Sequence, residues 1–369
     1  MSTGETSEQT IPPERPEVAA WDAMLEGLHS AGDAIAASTA DLDPVEQADG
    51  FRALVRALHN QLARLEVDRE RPELVPFNGW RQKFFMDNPD FRYWVADVRD
   101  DRRYVITGNK GAAAFVSITA YAGTGPTKAG ASARIDADEI AFDADGGFRV
   151  VVGGSRPAEG DWLALPDGAN ALWVRQFHDD VRTDRLGWCE IAPLDPVVTP
   201  APIEPGRFAH QLRRLGSTMA FVPGVLDHAA KADLADVNVL RHWSDMTGGA
   251  VYTEPGISYV RGGWQLEPGQ ALVIEGELVP CRYWNVLLHS RFLNSLDHRN
   301  RTVSRTGASI TDRDGGFRLV LAADDPASPD HDWLDTEGRS FGIVVVRWLH
   351  AEREPALPRT RVVPLDDLR

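Results

Sequence analysis

The sequence predicts a mainly β protein with helical segments, in which two tandem antiparallel β-sandwich domains are each preceded by helices. Three observations support this fold class. Short runs rich in β-branched and aromatic residues alternate with clusters of Gly, Pro, Asp and Asn. Two other segments place apolar residues at helical spacing. The order of helices followed by strands occurs twice in 369 residues, a length that suits two domains.

Changes in composition divide the chain into six segments. Residues 1–16 are polar and acidic and predict a disordered tail, without the basic start and apolar core of a signal peptide. A stretch with repeated prolines, residues 196–206, predicts a stiff linker. The other predicted segments are helical residues 17–76, a first β-sandwich at 77–195, helical residues 207–248, and a second β-sandwich at 249–369.

The first helical segment contains an amphipathic helix, predicted over residues 44–67. Asp43 followed by Pro44 supplies an N-cap and a proline in the first turn. A shorter helix before it is expected to break near Gly32, and the second helical region is predicted over residues 207–242. We expect these helices to pack at or across the interface between the domains. The apolar stripe of the 44–67 helix comprises Val45, Ala48, Phe51, Leu54, Val55, Leu58, Leu62 and Leu65.

An internal repeat relates the two β domains. Residues 143–152 (DADGGFRVVV) and 312–321 (DRDGGFRLVL) share seven of ten residues, and shorter matches flank them at nearly the same offset. The Asp-x-Asp-Gly-Gly block predicts a tight turn that leads into a strand. A calcium loop is the alternative, but neither copy has the glutamate that such a loop needs at its twelfth position.

These repeated residues resemble the domain-of-unknown-function 1214 family. The resemblance rests on the strand at residues 115–121, the Asp-Gly-Gly-Phe turn, Asp161-Trp162-Leu163 and Arg175 in the first copy. In the second copy it rests on residues 280–286, 314–317, 332–334 and 346–348. Asn285 departs from the family pattern, which has serine there. The resemblance implies β-sandwich domains of a jelly-roll-like kind and leaves the chemistry open.

Charge and cysteine usage limit the function classes. The chain has 39 Lys+Arg and 55 Asp+Glu, a net charge of −16, which disfavours binding to nucleic acids or to anionic lipid. Cys189 and Cys281 are expected to be reduced thiols in a reducing compartment. The longest aliphatic run, residues 343–346, is far shorter than a membrane span. We therefore expect a cytoplasmic protein with no nucleic-acid partner and no membrane span.

Standard catalytic and cofactor motifs are absent from the sequence. It contains no phosphate-binding Gly-x-x-x-x-Gly-Lys loop, no dinucleotide-binding glycine fingerprint, no Gly-x-Ser-x-Gly and no His-Glu-x-x-His. It also lacks a Cys-x-x-Cys pair, which disfavours structural zinc. We therefore expect neither a cofactor nor a metal ion.

One strand of the second copy carries an unusual set of polar side chains. Residues 112–121 of the first copy are small and apolar, whereas residues 280–291 of the second are aromatic and polar. Strand alternation places Trp284 on the core side and Tyr283, Asn285 and His289 on the other face. Arg291 continues that face.

The residues that follow extend this set and reverse the overall charge locally. Residues 282–301 contain four arginines and two histidines, which create a positive field suited to a carboxylate, sulfate or phosphate. We predict His289 and Tyr283 as catalytic groups, with Asn285, Arg291, Asn294 and Arg299 binding the substrate. The alternative is a solvated polar face whose arginines pair with nearby carboxylates.

Arg175 and Arg347 occupy equivalent strands of the repeat and favour a structural role. Because they occur in both copies, we expect them to bind backbone carbonyls or a nearby carboxylate such as Asp161 or Asp332.

Two function hypotheses follow from these residues. The first is an intracellular enzyme without a nucleotide cofactor, a hydrolase, lyase or isomerase. It would act on a small or lipid-like substrate with an anionic or polar handle, between the second β domain and the helices. The second is a protein that binds a ligand or assembles with partners without catalysis. The helical segments are a candidate surface for a homo-oligomer. A third possibility is a partner subunit in an acidic complex, for which an exposed apolar patch on the helical stripe would be the sign.

Overall fold

The computed structural model describes residues 15–123, 129–200, 202–242 and 252–369. In this part of the chain, two tandem β domains each consist of two sheets and are preceded by helices, which confirms the predicted fold class. Of the predicted tail, residues 1–16, the first 14 residues lie outside the described residues. The last residues of the second predicted helical segment, 243–248, also lie outside them.

The first two helices form a hairpin. Helix α1 spans Pro16–Ser38 and helix α2 spans Pro44–Leu62. The predicted break at Gly32 is wrong, because an interior glycine costs a helix only about 1 kcal/mol and packing offsets this. The N-cap prediction is confirmed, since the Asp43 carboxylate accepts hydrogen bonds from the first-turn amides. Helix α2 ends before residue 67, where Glu66 has a φ of +63° that no α-helix permits.

Helix α2 turns a partly polar face towards the protein interior. The carboxylates of Glu46 and Asp49 are buried and pair with Arg339 at 2.7 and 3.0 Å. These ion pairs fix which side of the helix faces inwards, so that much of the apolar stripe is left outside. The exposed members of the stripe are Val45, Ala48, Phe51, Val55 and Leu62.

Helix α3 spans Pro205–Leu234 and packs along α1. Its N-cap is Glu204, whose carboxylate accepts hydrogen bonds from the next amides along the helix. The predicted helix is wrong in its last part, because Arg241–His242 form the short strand β10. Asn238, with a φ of +61°, turns the chain away from helical geometry before that strand.

The first β domain contains two sheets. Its strands are β1 (Val75–Pro76), β2 (Phe91–Asp97), β3 (Tyr104–Asn109), β4 (Phe115–Gly123), β5 (Ala129–Asp136), β6 (Gly147–Val152), β7 (Asp161–Leu163), β8 (Ala169–Phe177) and β9 (Trp188–Pro193). One sheet has the order β1-β2-β8-β4-β5 and the other β7-β6-β3-β9. Neighbouring strands are antiparallel except β6 and β7. Apolar side chains including Trp94, Ile106 and Leu172 fill the space between the sheets.

The second β domain repeats this arrangement. After β10 come β11 (Ile257–Gln265), β12 (Gln270–Glu277), β13 (Tyr283–His289), β14 (Ser304–Thr306), β15 (Gly316–Ala322), β16 (Asp332–Asp335), β17 (Phe341–Leu349) and β18 (Arg359–Pro364). The sheets have the orders β10-β11-β17-β13-β14 and β16-β15-β12-β18. Within the described residues of this domain, the named strands pair antiparallel except β15 and β16, which are parallel. The core includes Trp284, as predicted.

The strand orders of the two domains correspond strand by strand, which confirms the internal repeat. The register corresponds as well: Ser117 of β4 lies opposite Arg175, and Asn285 of β13 lies opposite Arg347. The predicted turn before β6 is also present, since the Asp143 carboxylate accepts hydrogen bonds from two amides of the turn.

One sheet from each domain meets the other through its outer face. Aromatic and apolar side chains form this contact, among them Phe91, Phe177, Tyr283 and Leu349. The helices cover another part of the outer face of the second domain, where Ile343 and Val345 pack against them. The domain interface and the helices therefore enclose the β13 face that the sequence singled out.

Candidate functional site

Strand β13 presents its polar residues as predicted. Trp284, Val286 and Leu288 lie in the core of the second domain, while Tyr283, Asn285 and His289 are on the opposite face. That face is closed, however, because the other domain and residues 87–90 pack over it. The polar groups there make contacts within the chain.

Tyr283 connects the two domains. Its hydroxyl donates a hydrogen bond of 3.0 Å to the backbone carbonyl of His178, and the side chain is buried. Burial raises the pKa of Tyr283 well above its usual range, and the nearby Asp90 carboxylate acts in the same direction. A hydroxyl held in this way is a poor proton donor at neutral pH.

Asn285 binds a buried carboxylate. Its amide nitrogen donates hydrogen bonds to Asn88 Oδ1 at 3.1 Å and to Asp90 Oδ2 at 2.8 Å. The Ser304 hydroxyl donates to the other oxygen of Asp90 at 3.0 Å. Burial raises the pKa of Asp90 to about 6, although these hydrogen bonds favour its charged form.

His289 is fully buried at the end of β13. Its Nε2 lies 3.0 Å from the backbone carbonyl of Asp87, and its Nδ1 has no hydrogen-bond partner among the described residues. Burial, together with the positive charge of Arg347, lowers its pKa to about 3. The ring is therefore neutral at physiological pH and donates to the Asp87 carbonyl.

Arg291 contacts a helix. Its guanidinium lies 3.3 Å from Glu46 of α2 and stacks over the Phe341 ring at 5.1 Å. Arg339 pairs with the same carboxylate. Arg291 thus forms part of the ionic contact that holds α2 against the second β domain.

Asn294 and Arg299 lie closer than the other predicted site residues to a cavity, which is described in the next paragraph. The side-chain Oδ1 of Asn294 accepts a long hydrogen bond of 3.4 Å from Arg56 of α2. Arg299 is exposed, with its guanidinium 5.3 Å from the centre of the Trp80 ring. Neither residue lines the cavity itself, and neither do the other four predicted site residues.

The cavity lies between α2, the segment around Lys83 and the loop that follows β13. We call it the cationic cavity. Its volume is about 240 Å³. It is lined by Arg52, Arg56, Trp80, Lys83, Ser295, Leu296, Asp297, Arg301 and Glu337.

Lys83 forms the floor of the cationic cavity. Its ammonium donates hydrogen bonds to the backbone carbonyls of Ser295 and Leu296 at 2.6 and 2.7 Å and lies 4.8 Å from the centre of the Trp80 ring. Burial lowers its pKa to about 8, so that it still carries most of its charge at neutral pH.

A second, smaller cavity of about 50 Å³ lies close by and shares Arg301 with the first. Its wall has a mixed charge, with carboxylates of Asp90, Asp179 and Asp180 beside arginines. His298, which contacts Trp80 edge-on at 5.4 Å between ring centres, also lines it. In the described part of the chain, no cluster of three or more His, Cys, Asp and Glu residues is arranged to hold a metal ion.

The repeated arginines bind backbone carbonyls, as expected, and Arg175 also binds a carboxylate, but their partners are not Asp161 and Asp332. Arg175 pairs with Glu254 at 2.8 Å, and Arg347 donates to the Met86 carbonyl at 3.4 Å. Both side chains point out of their sandwich towards the domain interface. Asp161 and Asp332 lie on the other sheet and bind elsewhere, with Asp332 pairing to Arg313.

Most of the cationic cavity was not predicted from the sequence. Arg52, Arg56, Trp80 and Lys83 were not among the predicted site residues. The available signal was the excess of arginine at residues 282–301, to which Arg301 belongs. Nothing in the sequence indicated that α2 would contribute two more arginines to the same place.

Helices long and apolar enough to cross a membrane do not occur within the described ranges. Cys189 and Cys281 are both free.

This chain is similar to a solved structure of an uncharacterized protein. No family model and no curated protein matches it, so the resemblance to the domain-of-unknown-function 1214 family stays a prediction. An uncharacterized protein from Burkholderia cenocepacia is 29% identical over 94% of this chain and 97% of its own, with a TM-score of 0.86. A Vibrio parahaemolyticus protein, 13% identical over 94% of this chain and 100% of its own, has a TM-score of 0.48, too low to support an argument. The Burkholderia protein shows that the whole tandem arrangement, helices included, is similar to that of a solved structure.

Proposed function

We propose that this protein binds a small organic anion in the cationic cavity. The observation that carries the proposal is the charge of the lining. Four cationic side chains, Arg52, Arg56, Lys83 and Arg301, face two carboxylates, Asp297 and Glu337. Among the lining side chains alone, this is an excess of two positive charges in a protein with a net charge of −16. Asp49 and Asp335, which do not line the cavity, pair with two of these cations.

Arg56 is the cation best placed to bind a ligand. It forms no ion pair within the described residues, and its hydrogen bond to Asn294 is long at 3.4 Å. Burial and the neighbouring Arg52 lower its pKa, which indicates that an anion beside it would be favourable. Arg52 and Arg301, by contrast, already pair with Asp49 and Asp335.

The size and the aromatic wall narrow the ligand class. A volume of about 240 Å³ is below the range of about 300–1,000 Å³ typical of drug-sized ligands. Trp80 supplies a flat apolar surface beside the cations. A carboxylate, sulfate or phosphate attached to a small organic group meets both requirements.

Catalysis has less support than binding from the same geometry. His289 does not line the cationic cavity and its Nε2 is engaged with the Asp87 carbonyl. Lys83 is held by two carbonyls, which disfavours a nucleophilic role. The enzyme hypothesis, with His289 and Tyr283 as catalytic groups, stays a prediction.

The test measures thermal unfolding and calorimetric binding of the full chain with phosphate, citrate and benzoate. We expect at least one of these anions to raise the Tm and to bind more weakly as salt is added. Arg56→Met should remove the effect. Arg353→Met is the matched control, because Arg353 pairs with Glu277 on an exposed surface outside the cavity. An equal response in both variants, or no response to any of the three anions at millimolar concentration, would contradict the proposal.

A further inference from the structure

Helices α1 and α2 expose apolar side chains along a continuous helical repeat. In α1, Val18, Trp21, Leu25 and Leu28 are spaced by three, four and three residues. In α2 the same kind of spacing relates Phe51, Val55, Leu58 and Leu62. Trp21 is 51% exposed and Val55 is 66% exposed. Aromatic and aliphatic residues at this spacing are typical of a helix that packs on another helix.

The two rows lie side by side. A Cβ atom built on Gly32 of α1 would lie 3.8 Å from the Phe51 ring of α2. Leu28 and Leu58 are partly buried in one shared cluster, so they form the bottom of the groove between the rows. We call the surface made by these two rows the hairpin face.

We propose that the hairpin face is the contact between two copies of this chain. A helical hairpin with apolar residues at heptad spacing is half of a four-helix bundle, and a second copy related by a two-fold axis supplies the other half. Such a contact is self-complementary, so a single hairpin sequence satisfies both sides.

The charges beside the hairpin face favour this partner. Helix α1 contains four acidic residues and no Lys or Arg, and its Asp22, Glu26 and Asp33 are exposed. Helix α2 exposes Arg52 next to its apolar row. A two-fold arrangement that sets α1 against α2 of the second copy therefore places acid beside base. The acidic α1 also disfavours docking onto an anionic membrane.

Residues 1–14 are the competing occupant, because they directly precede α1. They contain one Ile among mostly polar residues, too little apolar surface to cover both rows. Arg52 lies beside the hairpin face and also lines the cationic cavity, but the variants that test the dimer change Val55, Asp22 and Glu26, which do not line the cavity. Loss of the dimer can therefore be distinguished from loss of anion binding.

Sedimentation equilibrium of the full chain at micromolar concentration tests the proposal. We expect a dimer whose dissociation constant rises about 100-fold or more in Val55→Asp, because each dimer would bury two unpaired carboxylates. Val198→Asp is the matched control, as Val198 is 87% exposed in the linker. Circular dichroism checks that both variants fold. The double variant Asp22→Lys/Glu26→Lys should also weaken the dimer, because lysines would then face Arg52.

Three results would overturn the proposal. The first is a monomeric wild-type chain at up to about 100 μM, a concentration that would detect even a weak specific dimer. The second is equal dimerisation of Val55→Asp and Val198→Asp, which would locate the contact on another surface. The third is a chain starting at Arg15 that dimerises when the full chain does not, which would show that residues 1–14 cover the hairpin face.

Discussion

Gly27 of α1 and Gly216 of α3 meet backbone to backbone. A Cβ atom built on Gly27 would lie 2.3 Å from the Gly216 carbonyl oxygen, and one built on Gly216 would lie 2.7 Å from the Cα of Met24. These glycines allow α1 and α3 to pack closely, because any larger side chain would separate the helices. The close packing in turn orients the α1–α2 hairpin.

Alanine at this helix crossing is expected to destabilise the protein. Gly27→Ala or Gly216→Ala should each lower the free energy of unfolding by about 1–3 kcal/mol, because the backbone must move to admit the methyl group. Chemical denaturation measures this. Gly224→Ala in the same α3 is the control, because apart from its two chain neighbours and the adjacent backbone of its own helix, no atom lies within 4 Å of its added Cβ. There alanine should be neutral or stabilise by up to about 1 kcal/mol. Equal stability of all three variants would contradict the close contact.

The buried ion pairs of Arg339 are expected to hold α2 in place. Arg339→Met should destabilise the protein by about 3–5 kcal/mol, because Glu46 and Asp49 would be left buried with less compensation. Urea unfolding followed by circular dichroism measures the change. Adding Glu46→Gln to Arg339→Met should recover part of the loss. In the exposed pair of Arg353 and Glu277, Arg353→Met should cost no more than about 1 kcal/mol. If Arg339→Met and Arg353→Met lowered the free energy of unfolding by similar amounts, the buried ion pairs of Arg339 would not be what holds α2 in place.

His289 is expected to make the protein sensitive to acid. Its folded-state pKa of about 3 lies below the ordinary 6.5, so its contribution to stability is complete above pH 6.5 and is lost as the pH falls towards 3. The loss is about 1.4 kcal/mol per pH unit in that window. His289→Gln keeps a donor for the Asp87 carbonyl and should flatten the profile. Urea unfolding at several pH values measures this pH dependence of stability. The control is His210→Gln, because His210 is an exposed residue of α3. An unchanged slope in His289→Gln would show that the ring does not resist protonation.

Asp90 is expected to make the protein less stable as the pH rises, which is opposite to the effect of His289. Its folded-state pKa of about 6 lies above the ordinary 3.8, so its contribution is complete below pH 3.8 and is lost as the pH rises through 6. Asp90→Asn should therefore gain stability relative to the wild type between pH 4 and pH 7, by up to about 3 kcal/mol. Parallel denaturation curves at the two pH values measure this. The exposed Asp366→Asn serves as control. A constant difference between Asp90→Asn and wild type would contradict the raised pKa.

Much of the local structure could be predicted from neighbouring residues. The period-two pattern of β13 correctly separated Trp284 from Asn285 and His289, because alternation depends only on backbone geometry. The Asp43 cap and the Asp143 turn were equally predictable, since each side chain binds amides a few residues away. The environment of the β13 face was not predictable. Whether it is open or closed depends on residues 87–90, some 200 positions earlier.

The cationic cavity shows the same limit. Lys83 binds carbonyls of residues 295 and 296, which are 212 and 213 positions away, and α2 adds its arginines from a third part of the chain. Sequence patterns report spacing along one element, whereas a cavity depends on how separate elements dock.

The sequence by itself determined the two-domain plan, since the repeated block at residues 143–152 and 312–321 specifies the same turn and strand in each copy. Tertiary structure alone decided which face of α2 is buried. Its apolar stripe predicts one orientation, but the ion pairs of Glu46 and Asp49 with Arg339 favour another and leave Phe51 and Val55 outside. Charges that would be costly to bury alone become favourable inside only when a partner from a distant segment meets them.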